Sequence, residues 1–421
     1  MVKQQLPGAR LPAVLAACAL ACLPLHANGA AAGEEPMAPT WKLSGFGTMG
    51  AVYSSSRSVD FTASVLRADG AGYTRAWSPD VDSRLGAQLD VGLGDWSGVL
   101  QVVSEQRLDG SYRPELEWAN IKYQLTPDLA VRAGRIALPV FLGAESRKVG
   151  YTIAWVRTPV EVYGALPISS SDGLDATWRW STGPVLHATQ VFAGRTNQDL
   201  HNGLRIKAEH IVGLSHSIER GAFSARLSAA GAHLNTAIGQ ELFAILRSFG
   251  PQGGVLADRY EIRNKRVSMI SAGMSYDPGP WFVTAECGRT RTDSLLGGGT
   301  SVYAGAGLRR GAFTPYLGYA QVRADVATSD PGLALDGLPP PLAAAAGQIN
   351  AGINGYLATI PVQSTWSAGL RWDAATNIAL KLQYERVRPR EGTRGALINN
   401  QPDFRPDHAV HVGSVALDFV F

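Results

Sequence analysis

Cysteine and long apolar runs are scarce in this sequence. It has three cysteines in 421 residues, and two of them, Cys18 and Cys22, lie in an apolar stretch near the N-terminus. Once that stretch is removed, Cys287 is left alone, so neither an internal disulfide nor a cysteine metal site can form. No run of about 18 apolar residues occurs after residue 32, which excludes a helical membrane protein.

The chain also lacks an excess of charge of either sign. Lys and Arg total 38, Asp and Glu total 35, and the net charge is +3, so the dispersed charges argue against nucleic-acid binding. No metal-binding spacing, nucleophile elbow or phosphate loop occurs. Ser215 and His216 are neighbours, but adjacent residues of a strand point to opposite faces, so the histidine cannot serve the serine as a base. We therefore expect no enzyme activity, no cofactor and no metal.

The N-terminus has the composition of an export signal. Lys3 and Arg10 supply a basic region, and an apolar stretch and a run of small alanines follow. We predict a signal peptide at residues 1–32, cleaved after Ala32 or alternatively after Ala27.

Two alternatives exist for this N-terminus. A membrane anchor would need about 20 apolar residues, whereas residues 11–25 are fewer and are interrupted by prolines. Residues 15–18 also fit a lipobox, which would leave a lipid on Cys18. After the signal, no linker-like change in composition divides the chain, so residues 33–421 are predicted to form one domain.

Alternation of apolar and polar residues is what the chain has in quantity. In residues 84–91 the odd positions are apolar, and the even positions are polar or glycine. The same period of two recurs in residues 174–180, 366–372, 378–385 and 410–421. This period is typical of β-strands with one apolar face.

Short turns rich in Gly, Pro, Asn and Asp separate adjacent strands at seven places. Seven hairpins define fourteen strands, and the strands that begin at Trp41 and end at Phe421 make sixteen. An even number, with both ends on the short-turn side, is what a closed antiparallel barrel needs. We therefore predict an all-β transmembrane antiparallel β-barrel of about 16 strands, with short periplasmic turns and long extracellular loops. The seven turns are residues 92–95, 126–128, 181–184, 219–221, 277–280, 309–311 and 373–377.

A soluble β-sandwich or propeller would also show alternating strands. Two features favour the barrel. The face opposite the apolar one is rich in small polar and charged residues, which suits a wet lumen. Aromatic residues cluster at strand ends, as interfacial girdles do. These aromatics are Trp96, Trp178, Trp180, Trp281, Trp366, Trp372 and Tyr384.

Several segments resemble a known family. Residues 43–53 (LSGFGTMGAVY), 83–90 (SRLGAQLD) and 131–139 (VRAGRIALP) and the final Phe421 occur in order. With the strand pattern, they resemble the Gram-negative outer-membrane porin superfamily of trimeric 16-stranded barrels. The resemblance implies an outer-membrane location, contact with membrane lipid, a homotrimer, and recognition of Phe421 by the barrel-assembly machinery. Because side chains cannot fill so wide a bore, it also implies a water-filled channel for passive diffusion of small hydrophilic solutes and ions.

In porins the third extracellular loop bends into the pore, and residues 139–169 hold the equivalent place in this chain. The resemblance implies that this loop folds into the pore; the alternative is an outer loop that contacts a neighbouring chain. Its charged residues are Glu145, Arg147, Lys148, Arg157 and Glu161. Alternate positions of a strand face the same side of the sheet, so the period of two also predicts which charged wall residues face the lumen. The cations are Arg84, Lys122, Arg132, Arg179, Arg226, Arg371 and Lys381, and the acidic residues are Asp90, Glu105, Asp175, Glu286, Glu385 and Asp418.

Nearly balanced wall charges predict at most a mild preference for anions, and the alternative is that these charges form salt bridges within the wall. A substrate-specific channel for a small anionic solute, such as phosphate, a dicarboxylate or an aromatic acid, is the alternative function. An outer-membrane barrel enzyme is a more distant one. Residues 325–361 contain three consecutive prolines and an alanine run, and they predict a long extracellular loop with about one helical turn.

Overall fold

The computed structural model describes residues 38–200 and 204–421, and the predicted signal peptide lies outside them. Sixteen long strands of these residues form one antiparallel sheet. In chain order they are β1 Thr40–Ser54, β2 Arg84–Leu93, β3 Trp96–Glu105, β4 Glu115–Gln124, β5 Leu129–Ala137, β6 Ser170–Thr182, β7 Val185–Asp199, β8 Arg205–Arg220, β9 Phe223–Thr236, β10 Lys265–Tyr276, β11 Trp281–Thr292, β12 Gly299–Leu308, β13 Phe313–Ala324, β14 Gln363–Ala375, β15 Ile378–Pro389 and β16 Val410–Val420.

The sheet closes on itself through β1. The first half of this strand pairs with β2, where Thr40 lies opposite Gly92. Its second half pairs with β16, where Phe46 lies opposite Val420. Every other strand pairs with its neighbours in sequence, so the barrel leaves no row of unpaired backbone groups. The predicted closed antiparallel barrel of 16 strands is confirmed.

The seven predicted short turns lie between β2 and β3, β4 and β5, and each following pair up to β14 and β15. Five of them contain a residue whose φ lies between 57° and 63°. That left-handed conformation favours glycine and is tolerated by asparagine. These residues are Gly94, Gly183, Gly221, Gly311 and Asn377.

The two faces of the barrel wall differ as the alternation predicts. The outer face carries exposed apolar side chains on every side, among them Leu43, Ile121 and Leu317. The inner face carries polar and charged side chains, and the ammonium-bearing Lys381 is 0% exposed. A wall of this kind can contact lipid outside and polar groups inside.

The long connections lie at the opposite end from the short turns. Their described residues contain four α-helices, α1 Val160–Tyr163, α2 Gln240–Ser248, α3 Gly250–Tyr260 and α4 Pro340–Leu357, and one 3₁₀ helix, Gly150–Thr152. Helix α4 has 18 residues, so the expectation of about one helical turn there is wrong. Its prolines occupy the first turn, where they need no amide donor, and alanines favour the helix that follows. No helix among the described residues has the length and apolarity to cross a membrane.

Two apolar clusters lie against the inner face. The larger one joins the connection between β5 and β6, the inner face of β7 to β13 and all four α-helices. The smaller one joins residues before β2 to the ends of β1, β15 and β16, with Val52, Phe61 and Val412 at its centre. The long connections therefore pack inward against the wall.

Candidate functional site

The connection between β5 and β6, residues 138–169, is bound to the inner wall along its length. Its first part contacts β9, β10 and β11. The carboxylate of Glu286 on β11 accepts a hydrogen bond from the amide of Leu142 (2.7 Å) and another from the Tyr163 hydroxyl (2.7 Å). Ser228 on β9 donates to the carbonyl of Pro139 at 2.9 Å. We call residues 138–169 the wall-bound segment.

The middle of the wall-bound segment contacts β14, β15 and β16. Lys381 donates to the carbonyls of Gly150 and Trp155 at 2.7 and 2.9 Å, and it forms an ion pair with Asp418 at 2.7 Å. Arg371 donates to the carbonyl of Tyr151 at 2.7 Å. Two wall cations predicted to line a pore therefore hold backbone carbonyls of this segment.

Arg157 connects the segment to three parts of the wall. Its guanidinium, 3% exposed, pairs with Asp82 at 2.6 Å and with Glu385, and it donates to the Ser414 hydroxyl at 2.6 Å. It also lies 5.0 Å from the ring centre of Phe61. Burial lowers the pKa of Arg157, but the two carboxylates outweigh burial and raise it.

Glu161 is the second buried charge of the wall-bound segment. It lies on α1, and its Oε1 accepts hydrogen bonds from Gln363 (2.7 Å) and from the Thr365 hydroxyl, both on β14. Burial raises the pKa of Glu161, and these hydrogen bonds oppose the rise only in part. Thus Glu161, like Arg157, is enclosed by the wall.

The remaining charges of the segment differ in exposure. Arg147 donates to the carbonyls of Leu166 and Ile168, both at 3.2 Å, and burial lowers its pKa. Lys148 pairs with Glu105 on β3. The side chain of Glu145 is 38% exposed, the most of the five, and pairs with Arg226 on β9.

Of the four wall cations not bound to the segment, Arg132, Lys122 and Arg179 are accessible, whereas the side chain of Arg84 is only 12% exposed. Arg132 pairs with Asp175 at 2.8 Å and remains 29% exposed. Arg84 lies 4.0 Å from Glu105. Lys122 lies opposite Arg132 on the adjacent strand and is partly exposed, and Arg179 is exposed near the turn end of β6. The structure therefore places the five predicted charges of the segment and the seven predicted wall cations on the wall-bound segment or on the inner wall, and it separates them into enclosed and accessible groups.

An aromatic cluster between segment and wall was missed by the sequence analysis. Trp155 lies edge-on to Tyr316, with ring centres 5.6 Å apart, and close to Phe282 and Tyr303. Its ring covers Gly305 so closely that a Cβ at this glycine would lie 2.4 Å from it. Gly305, on the inner face of β12, was the available signal in the sequence, because a glycine within a strand often marks a place where another group packs closely against the backbone. Asp82 was missed as well. It precedes the first residue of β2, so the alternation of residues in the strand could not predict which way its side chain points.

Among residues 38–200 and 204–421, no group of three or more His, Cys, Asp or Glu side chains could hold a metal ion.

No family model matches the chain, and no curated protein matches it. Solved structures do match in fold. An anion-selective porin from Comamonas acidovorans aligns with a TM-score of 0.56 and 12% identity, over 91% of this chain and 100% of that one. Salmonella typhi OmpF, in complex with daunomycin, aligns with a TM-score of 0.55 and 14% identity, over 90% and 97%. The outer-membrane channel DcaP of Acinetobacter baumannii aligns with a TM-score of 0.56 and 12% identity, over 91% and 97%. The chain therefore has the β-barrel fold of the outer-membrane porins.

Proposed function

We propose that this protein is a porin of the outer membrane, exported by its N-terminal signal and assembled as a homotrimer with the help of Phe421. It would form a water-filled channel for passive diffusion of small hydrophilic solutes and ions, with no catalytic role. The observation that carries the proposal is a closed barrel of 16 strands with a polar inner face and an apolar outer face. Such a barrel is too wide for side chains to fill.

We further propose that the wall-bound segment forms the narrowest part of the channel. Its contacts with β9 to β11 on one side and with β14 to β16 on the other support this position. The enclosed residues Arg157, Glu161 and Lys381 would then fix the shape of the constriction. Because they are shielded from water, they would contribute little to ion selectivity.

The accessible charges would set the selectivity. Lys122, Arg132 and Arg179 line one side of the inner wall on β4, β5 and β6, whereas Glu145 is the exposed carboxylate of the segment. Arg132 is paired with Asp175, and Glu145 is paired with Arg226. Lys122 and Arg179 form no ion pair with a described residue, so they favour a mild anion preference, which falls as salt screens the field. One fold relative is described as an anion-selective porin, which agrees with this sign.

Single-channel recording across a salt gradient tests the proposal. We expect ohmic conductance and a reversal potential displaced toward anions. Replacing Lys122, Arg132 and Arg179 together by Gln should displace it toward cations, because glutamine keeps a hydrogen-bond donor but removes the charge. The matched control replaces three exposed loop arginines, Arg113, Arg263 and Arg405, by Gln and should leave the reversal potential unchanged.

Three outcomes would contradict parts of this proposal. Absence of conductance in a folded barrel would reject a diffusion channel. Equal shifts in the Gln variant and its control would reject the assignment of selectivity to the inner wall. Block by one small anion at micromolar concentration would instead support a substrate-specific channel, since a general pore must release its solutes readily.

A further inference from the structure

The outer face of the barrel carries a row of cationic side chains near the long-connection end. Each one is exposed and lies on an outward-facing strand position, and none forms an ion pair or a side-chain hydrogen bond with another described residue. We call these six residues the basic belt: Arg195 on β7, Lys207 on β8, Arg266 on β10, Arg291 on β11, Arg323 on β13 and Arg386 on β15.

The basic belt lies directly beyond the apolar band of the same strands. On β7, Arg195 follows the exposed Val191 by four residues, and on β15, Arg386 follows the exposed Leu382 by four. Four residues of a strand span about 13 Å. The belt therefore stands where an apolar outer surface ends, which is the level of lipid headgroups for a barrel in a bilayer.

The belt is restricted to one end and one side of the barrel. At the turn end, the outer rim carries aromatic rings instead, with Trp178 stacked on Trp180 at 4.3 Å. On β1 and β2 the outer face near the long connections carries Met49 and Leu85, both exposed and apolar. Arg135 on β5 also lies on the outer face, but it is paired with Asp172. Among the described residues, unpaired cations near this end of the outer face follow β7 to β15, so they are a feature of that surface and not a general property of the rim.

Neighbouring carboxylates do not neutralise this surface. Of the carboxylates nearest the belt, Asp172, Asp199 and Asp325 are paired with Arg135, Arg205 and Arg289, each at 2.7 Å. Glu209, on the same strand as Lys207, is a nearby carboxylate without a cation partner among the described residues, and it offsets a single charge of the six. The belt therefore keeps an excess of positive charge that is available for anions from outside the protein. Five of the six are arginines, whose planar guanidinium binds phosphate with two parallel hydrogen bonds.

We propose that the basic belt binds the phosphorylated headgroups of anionic lipids in the leaflet at the long-connection end. The proposal rests on the membrane placement proposed above, but not on conductance. Lipid phosphates would meet the belt while their acyl chains contact the apolar band below it. The partner is thus a membrane lipid that carries both a phosphate and an apolar tail, which distinguishes it from a soluble anion.

Lipid binding to the purified full-length barrel in a zwitterionic detergent tests this inference. The probes are phosphatidic acid and phosphatidylcholine with identical acyl chains, and inorganic phosphate. The variant replaces Arg266, Arg291 and Arg323 by Gln, which leaves no carboxylate without a partner. We expect the wild-type protein to bind phosphatidic acid more tightly than phosphatidylcholine, and the variant to bind it at least about tenfold more weakly, because each basic residue at a lipid surface contributes severalfold.

The control is the loop variant Arg113→Gln, Arg263→Gln and Arg405→Gln, which should bind phosphatidic acid like the wild type. Equal weakening in both variants, or no weakening in either, would overturn the proposal. Competition by inorganic phosphate at the same concentration as the lipid would also overturn it, since the site would then accept a soluble anion. Heat-modifiable mobility and conductance of the belt variant should match the wild type, so failure of lipid binding and failure of the channel function can be told apart.

Discussion

Replacing Arg157 by Met removes one of the cations that join the wall-bound segment to the barrel, and the one that is paired with two buried carboxylates. Asp82 and Glu385, 1% and 9% exposed, would be left facing each other without it. Breaking a buried ion pair from one side costs about 3–5 kcal/mol. Because a factor of ten corresponds to about 1.4 kcal/mol, the population of opened segment should rise roughly a hundredfold or more.

Amide hydrogen exchange followed by mass spectrometry reads this effect locally. Peptides covering residues 150–163 should exchange much faster in the Arg157→Met variant, whereas peptides from β3 to β5 should not change. A compensated variant that adds Asp82→Asn and Glu385→Gln should recover most of the protection, because a neutral group needs no cation. The control is Arg113→Met, whose ion pair is 76% exposed on the arginine side and contributes about 0–1 kcal/mol. Equal exchange in Arg157→Met and Arg113→Met would refute the role assigned to Arg157.

Three further predictions concern other parts of the barrel. A Cβ on Gly305 would lie 2.4 Å from the ring of Trp155, which is 8% exposed and cannot turn away into solvent. Gly305→Leu should therefore weaken the packing of the wall-bound segment by about 1–3 kcal/mol, and unchanged amide exchange in residues 150–163 would argue against that contact. Because burial raises the pKa of Glu161, the folded state favours its protonated form. The Glu161→Gln variant should therefore have a larger free energy of unfolding than the wild type at pH 8, and this difference should shrink as the pH falls toward 4. A difference in urea unfolding that does not depend on pH would contradict this. The proposed homotrimer should appear as three chains by native mass spectrometry in mild detergent, and a stable monomer would reject it.

The sequence predicted the barrel well because its signals are local. Strand period depends on adjacent residues, and each short turn carries its own chemistry in residues such as Gly94 and Asn377. The length of helix α4 was predicted wrongly, because three consecutive prolines are typical of an irregular segment. Prolines are compatible with a helix only at its start, and the sequence did not show that these prolines lie there. Helices α2 and α3 were not predicted, because their stability comes from packing against distant residues of the large apolar cluster.

The candidate site divides in the same way. Parity in the strands identified Arg132, Lys381 and the other wall charges, since the side of a strand follows from its period of two. Parity could not indicate which charges become enclosed. Lys381 is shielded because the wall-bound segment, 226 residues away in sequence at Trp155, brings backbone carbonyls to it. Arg157 is shielded because the wall brings it the carboxylate of Glu385, 228 residues away, whereas Arg132 and Lys122 remain accessible.

By itself, the sequence determined the strand count, the turn positions and which face of each strand is apolar, because these depend on neighbours along the chain. The tertiary structure alone decided the pairing of Arg157 with Asp82 and Glu385, the contact of Trp155 with Gly305, and the alignment of six cations into the basic belt. Each of these joins residues from different strands or loops, and their separation is fixed only when the sheet closes and sets the register of every strand against its neighbours.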